Sequence, residues 1–289
     1  MIKMKFNLTA FADESSPEIM GQIDALKRNS MKYIELRGIN NKSAYDYSVE
    51  ESKEFAKIYR ENGISVSALG SPVGKIQITD DFEPHFDFLK KCVELAGVYE
   101  TKLIRLFSFY IPKGEDKKQY RNEVIDRVGK MAEYCRQNGI VPCHENEADI
   151  YGESAAECED LLKNIPELDA VFDPANFIVT GNDAFDAFKL LKGNFEYLHI
   201  KDALKETKQI VPAGKGDGRL GEIIADYASK SEKDRFLTLE PHLTVFEGLS
   251  NLQHEAVKHK YTFETKEEAF DTAVNSLKSV LEDKGLKYE

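Results

Sequence analysis

Residues 140–145 read Ile-Val-Pro-Cys-His-Glu, a short apolar run that ends in a carboxylate. A run of this length and composition is typical of a buried strand in a parallel sheet, and Glu145 stands where that strand should end. Three later segments repeat the design: residues 170–174 with Asp173, residues 197–202 with His199, and residues 236–241 with Glu240. The carboxyl ends of barrel strands open onto one face, so we expect these four side chains to converge there.

The whole chain alternates between short β-prone runs and longer segments with helical spacing. In residues 119–138, apolar side chains recur at intervals of three and four, as in an amphipathic helix. The β-prone runs are residues 6–11, 32–36, 64–69, 102–107, 140–144, 169–172, 195–200 and 235–239. Eight such repeats predict an α/β fold, a (β/α)8 TIM barrel that forms a single domain over residues 1–289. The turn at residues 11–15 lacks the glycine fingerprint of a dinucleotide-binding half.

The composition restricts the partners of the chain. Its 289 residues are 42% hydrophobic and 31% charged, with a net charge of −12. Binding to nucleic acid needs a basic surface, so this charge argues against nucleic acid. No apolar stretch approaches the ~18 residues of a membrane span, and no cleavage-site pattern follows the N-terminus. The four cysteines form no Cys-x-x-Cys pair. We therefore expect a cytoplasmic protein without a membrane partner, in which Cys92 and Cys135 are buried thiols.

The four strand-end side chains offer three carboxylates and one imidazole. This donor set suits one divalent metal ion and does not discriminate between Mn²⁺, Mg²⁺, Zn²⁺ and Co²⁺. Taken singly, each side chain is explained as well by a solvated charge or a hydrogen-bonded polar group. Their recurrence at equivalent positions on consecutive strands favours a metal site.

Other polar side chains at strand ends are predicted to contact a substrate: Arg37, Lys75, Arg105, Glu147 and Lys201. Glu147 shares a face with Glu145, because side chains alternate along a strand. The cations could bind sugar hydroxyls or clamp a phosphate or carboxylate, or they could pair with acidic neighbours such as Glu14, Glu147 and Asp202. The glycine-rich run at residues 214–219 could present backbone N–H groups to an anion or form a mobile loop.

The order and spacing of these segments resemble the xylose isomerase-like superfamily of TIM barrels, which includes sugar phosphate isomerases and ketose 3-epimerases. The matching segments are residues 11–14, 35–37, 71–75, 105–108, 144–147, 172–176, 199–202 and 239–241. The resemblance implies that the four strand-end ligands hold one divalent metal, and that Glu145 and Glu240 also exchange protons with the substrate. A divalent ion stabilises the enediolate that forms when a proton next to a carbonyl is removed. Each carboxylate within reach is worth roughly 10²–10⁴-fold in rate.

The implied function is a metal-dependent isomerase or epimerase that acts on a sugar, sugar phosphate or polyol derivative. A lyase like inosose dehydratase is the main alternative, since the same enediolate can expel a β-hydroxyl as water. An AP endonuclease-like hydrolase needs more histidines than the six present and a basic DNA face. A non-catalytic sugar-binding barrel is the remaining alternative. Xylose isomerase itself is not expected, because those enzymes enclose their sugar with tryptophan and this chain has none.

Two of the predicted strand-to-helix loops are long, residues 201–218 and residues 241–265. Long loops at this end of a barrel commonly act as lids, substrate clamps or dimer arms. The second loop makes a homo-oligomer a possible assembly.

Overall fold

A computed structural model of the chain describes residues 4–191, 195–243, 245 and 261–289. Eight parallel strands form its centre, one in each of the predicted runs. Their bounds are β1 Phe6–Ala10, β2 Tyr33–Leu36, β3 Ser65–Leu69, β4 Leu103–Leu106, β5 Val141–Glu145, β6 Asp169–Phe172, β7 Tyr197–Ile200 and β8 Arg235–Leu239.

The strands lie in the order β1, β8, β7, β6, β5, β4, β3 and β2, and the paired neighbours are parallel. β1 and β8 align over their full length, with Phe6 opposite Arg235 and Ala10 opposite Leu239. β1 and β2 face each other across the last seam, where these two described strands form no backbone ladder. The ring is thus nearly closed, and the predicted (β/α)8 TIM barrel is confirmed. That residues 1–289 are a single domain stays a prediction.

Helices connect the strands around the outside of the barrel. Those in the described part are α1 Ile19–Arg28, α2 Val49–Glu61, α3 Phe82–Val98, α4 Arg121–Gln137, α5 Ala155–Asn164, α6 Pro174–Val179, α7 Ala184–Leu191, α8 Leu220–Lys230 and α9 Lys266–Asp283. α2 begins with a capping box, in which Ser48 Oγ accepts from the Glu51 N–H and the Glu51 carboxylate accepts from the Ser48 N–H. The Ser-x-x-Glu spacing predicted this helix start.

The lower half of the barrel interior is filled by apolar side chains. Ala68, Leu103, Cys143, Val171 and Tyr197, from five neighbouring strands, pack into one buried cluster. All four cysteines are buried and unpaired, which confirms the prediction for Cys92 and Cys135. With its lower half packed, the barrel can open to a ligand only at the carboxyl ends of its strands.

The loop after β7 is held together by one carboxylate, that of Asp202. It accepts hydrogen bonds from the backbone N–H groups of Ala203, Gly214, Gly216 and Gly218 at 2.9–3.0 Å. A Cβ atom on Gly216 or Gly218 would collide with this carboxylate, so the close approach requires glycine. The backbone N–H groups of the glycine-rich run therefore bind an anion of the chain itself.

The loop after β8 contains residues 244 and 246–260, which lie outside the described residues. The predictions of a lid or dimer arm in this loop, and of a homo-oligomer, rest largely on that segment and stay predictions. Among the described residues, no helix is both long and apolar enough to cross a membrane. A cytoplasmic location stays a prediction from the sequence.

His144 lies on β5 next to Glu145 but points away from the barrel centre. It is buried, its Nε2 lies 2.9 Å from Ser108 Oγ, and its ring packs so closely on Gly152 that a Cβ there would collide with it. Burial lowers the pKa of His144 to about 4. The folded protein therefore holds a neutral imidazole that can accept a hydrogen bond from the Ser108 hydroxyl.

This buried imidazole gives an expected pH dependence of stability. Below the usual pKa of 6.5, the unfolded chain protonates His144, whereas the folded chain does not do so until about pH 4. Stability is thus lost as the pH falls through this window, by about 3 kcal/mol for this one group. Urea unfolding at pH 4 to 7 should show this extra loss in the wild-type protein relative to His144→Gln. Equal pH slopes for the two proteins would contradict the assignment.

Candidate metal and substrate site

Four side chains meet at the carboxyl ends of β5 to β8. Glu145 ends β5, Asp173 follows β6 and caps α6, His199 lies in β7, and Glu240 follows β8. All four are buried, and one potential ligand atom from each lies within 4.8 Å of the others. The structure thus brings together the four residues predicted as metal ligands.

His199 is oriented by a carboxylate that the sequence analysis did not assign. Its Nδ1 lies 3.0 Å from Glu145 Oε1 and 3.5 Å from Glu240 Oε2, so this nitrogen faces the cluster. Its Nε2 lies 3.3 Å from Glu35 Oε2, and Glu35 also accepts a hydrogen bond from the Tyr197 hydroxyl at 2.9 Å. A carboxylate behind an imidazole fixes its tautomer and makes it a better metal ligand. Glu35 is fully buried in β2 and holds His199 in this orientation.

The electrostatics of the cluster fit a bound cation. Burial raises the pKa of Asp173 to about 7, with Lys201 opposing and Glu145 and Glu240 adding to the rise. Burial acts in the same direction on Glu145, but His199 and Arg105 outweigh it and hold the pKa of this carboxyl at about 2. The nearby cations thus favour the ionised form of both carboxyls, and they outweigh the effect of burial at Glu145. Three oxygen ligands and one imidazole nitrogen are a donor set for Mn²⁺, Zn²⁺ or a similar divalent ion.

Lys201 and Arg105, both predicted as substrate contacts, pair with the cluster itself. Lys201 Nζ lies 2.8 Å from Asp173 Oδ2 and 3.0 Å from Glu240 Oε2. Arg105 Nη1 lies 3.1 Å from Glu145 Oε2, and its Nη2 donates to the Gly70 carbonyl at 2.9 Å. Both cations are buried, which makes the attraction to these carboxylates strong. Pairing with acidic neighbours, the alternative left open by the sequence, is thus observed for both.

Arg37 is surrounded by a second set of acidic side chains. Its guanidinium pairs with both oxygens of Asp13 at 2.9 and 3.0 Å, and lies 3.3 Å from Glu14 and 3.4 Å from Glu240 Oε1. His242 Nε2 lies 3.3 Å from Glu14 and 3.5 Å from Glu240. Burial raises the pKa of Glu14 to about 7, against the influence of Arg37. Sequence reasoning did not assign Glu14 or His242 to the site.

A cavity of about 530 Å³ opens directly above these groups. Every predicted substrate contact lines it, as do both predicted catalytic carboxylates: Arg37, Lys75, Arg105, Glu147, Lys201, Glu145 and Glu240. Lys75 and Glu147 form an ion pair of 3.1 Å in the cavity wall. The volume of the cavity is within the range of small-molecule sites in enzymes. That these side chains bind a substrate stays a prediction.

Comparison with known proteins places the chain in a family of barrels. A family model described as "Xylose isomerase-like TIM barrel" matches residues 23–229. The 3-dehydroshikimate dehydratase of Bacillus anthracis is 20% identical over 176 residues, 60% of this chain and 62% of that protein. The inosose dehydratase of Mesomycoplasma hyopneumoniae (strain 7448) is 26% identical over 142 residues, 45% of this chain and 47% of that protein. The chain thus spans about three fifths of the length of the first relative and about half of the length of the second.

Solved structures share the fold over nearly the whole chain. A D-tagatose 3-epimerase-like protein superposes with a TM-score of 0.72 at 12% identity, covering 98% of each chain. The IOLI protein, in a crystal structure with a zinc atom, superposes with a TM-score of 0.70 at 14% identity, covering 96% of this chain and 99% of that chain. At such low identity, these likenesses show the fold and not the reaction.

Proposed function

Since the chain belongs to the xylose isomerase-like TIM barrel family, we propose that it is a divalent-metal-dependent isomerase or epimerase of a sugar or sugar derivative. The reaction begins with removal of a proton next to a carbonyl and proceeds through an enediolate. Glu145 and Glu240 are the proposed acid–base pair, and Glu145, Asp173, His199 and Glu240 are the proposed metal ligands.

The orientation of the two glutamates carries this proposal. Glu145 directs Oε1 toward His199 and Oε2 toward Arg105, while Glu240 directs Oε2 toward Lys201 and His199 and Oε1 toward Arg37. Each carboxylate therefore has one oxygen in the cluster and a second oxygen outside it, next to a cavity-lining arginine. A base that is also a ligand needs such a second oxygen to reach a carbon-bound proton.

The residues of the chain divide the chemistry between them. One glutamate takes the proton and the other returns it, and return to the opposite face of the carbon inverts its configuration. Arg105 lies 3.1 Å from Glu145 and 3.9 Å from Glu240, and Lys201 lies 3.0 Å from Glu240. Both cations place positive charge beside the developing enediolate. A divalent metal held by the four ligands would polarise the carbonyl and stabilise the same negative charge.

Dehydration is the second candidate, and the sequence similarity to two dehydratases favours it. The first step is the same proton removal. The enediolate then expels a β-hydroxyl, which leaves as water after taking a proton from a neighbouring acid. The product has lost one water and contains a new double bond or its keto tautomer, so the two candidates differ in the mass of the product.

The test combines metal analysis of the purified protein with ¹H NMR in D₂O. Metal-loaded protein is incubated with ketoses, ketose phosphates, inososes and 3-dehydroshikimate. Loss of the signal of the proton next to the carbonyl without loss of water is expected for the isomerase or epimerase, and a dehydrated product for the lyase. If the protein exchanges a proton in none of these compounds while its metal site is filled, both candidates are overturned.

A further inference from the structure

We propose that the cavity selects an uncharged, polyhydroxylated carbonyl compound over a carboxylate or phosphate, and that Glu147 is the residue that determines this preference. The inference rests on the proposed function and narrows its substrate class. The observation behind it is that four of the five lysine and arginine side chains in the described cavity lining are already paired with carboxylates of the chain.

The pairing covers each cation that the sequence predicted as a substrate contact. Arg37 is bound by Asp13 through two contacts, and Arg105 lies 3.1 Å from Glu145. Lys201 lies 2.8 Å from Asp173 and Lys75 lies 3.1 Å from Glu147. Asp13 and Glu147 are not among the proposed metal ligands, so an anionic substrate that displaced either of them from Arg37 or Lys75 would leave that carboxylate unpaired, which opposes binding.

Carboxylates also remain in surplus after these four pairs are counted. Glu240 lies near Arg37, Lys201 and Arg105, but each of these cations also pairs with another carboxylate. Glu14 lies beside Glu240, with carboxylate oxygens of the two within 4.8 Å of each other. A divalent ion at the proposed metal site would offset this surplus rather than create an excess of positive charge. Lys42 also lines the cavity, but at its exposed rim with its ammonium over the Tyr47 ring, where solvent screens it.

The Lys75–Glu147 pair is the one best placed to contact a substrate hydroxyl. Both side chains line the cavity and are partly exposed, at 31% and 25%. Lys75 Nζ lies over the Phe107 ring, 4.2 Å from its centroid, and Glu147 Oε1 accepts the Ala148 N–H at 2.9 Å. The pair is thus a fixed donor beside a fixed acceptor with no net charge. A hydroxyl group, which both donates and accepts, complements it, whereas a carboxylate or phosphate repels Glu147.

The experiment compares matched ligands on the metal-loaded protein by titration calorimetry. The pairs are fructose with fructose 6-phosphate, ribulose with ribulose 5-phosphate, and inosose with 3-dehydroshikimate. The wild-type protein should bind the uncharged member of at least one pair more tightly. Glu147→Gln frees Lys75 and should shift the ratio of dissociation constants toward the anion by about 5- to 10-fold. Lys75→Gln leaves Glu147 unpaired and should shift this ratio toward the uncharged ligand.

Glu153→Gln is the matched control, because Lys117 and Glu153 form a 3.0 Å ion pair of similar exposure, 25% and 28%, outside the cavity lining. It should leave the ratio unchanged. The inference would be overturned by tighter or equal binding of the anion in every pair that binds, by binding of no member of any pair, or by a ratio that Glu147→Gln does not move. These outcomes concern binding, whereas the proposed function fails only if no compound exchanges its proton.

Discussion

Replacement of Glu145 by glutamine is expected to lower the rate of proton exchange next to the substrate carbonyl by about 10²–10⁴-fold. Glutamine keeps the shape of the side chain but cannot take up a proton. The wild-type carboxyl has a pKa of about 2, because His199 and Arg105 outweigh the effect of burial. It is therefore ionised at neutral pH and can accept a proton. The measurement is the initial rate of deuterium incorporation by NMR, with metal content determined on the same sample.

Glu240→Gln provides a second arm of this experiment. If the two glutamates serve opposite faces of the carbon, one variant should lose exchange of one epimer more than of the other. Glu153→Gln, which alters a carboxylate outside the cavity lining, should exchange at the wild-type rate. A Glu145→Gln variant that retains its metal and exchanges within 10-fold of the wild-type rate would remove Glu145 from the reaction.

The sequence predicted the strand ends well because these depend on local patterns. Glu145, Asp173 and Glu240 each end or follow a short apolar run, and His199 is the last residue but one of its strand. A parallel barrel places the ends of such strands on one face. Repetition of one pattern on four consecutive strands is a strong signal, even though each residue alone is weak. The eight strands were predicted for the same reason, since their apolar runs alternate with helical spacing.

The pairing inside the site could not be predicted in the same way. Arg37 is 203 residues from Glu240 and Glu35 is 164 residues from His199, so no local spacing connects the partners. Glu35 did leave a local signal, as a carboxylate in an otherwise apolar strand, Tyr33–Leu36. A charge at an inward position of a buried strand needs a partner, and that argument could have added Glu35 to the site.

The glycine-rich loop shows a different limit. Residues 214–219 have the composition of an anion-binding loop, and the structure confirms that their backbone N–H groups bind an anion. The anion is Asp202, twelve to sixteen residues earlier in the chain. Composition identified the type of interaction but not the partner, because an internal carboxylate and a substrate phosphate satisfy the same donors.

Replacement of Arg105 by methionine is expected to destabilise the metal-free protein by about 3–5 kcal/mol. Arg105 is buried between the Phe11 and Phe107 rings, pairs with Glu145 at 3.1 Å, and donates to the Gly70 carbonyl at 2.9 Å. Its loss leaves Glu145 and Glu240 close together without the cation between them. Arg105→Lys keeps the charge but not the planar set of donors, so we expect a smaller loss. Urea unfolding in the presence of a chelator measures both.

The same experiment with added Mn²⁺ connects stability to the proposed metal site. A divalent ion among the four ligands supplies positive charge next to the carboxylates that Arg105 compensates, so Mn²⁺ should recover part of the stability lost in Arg105→Met. Arg121 is a matched control, since it pairs with Asp160 through two contacts of 2.7 Å at the protein surface. Arg121→Met should change stability far less, because solvent screens this pair. An Arg105→Met protein within about 1 kcal/mol of wild type would show that the buried carboxylates tolerate each other without this cation.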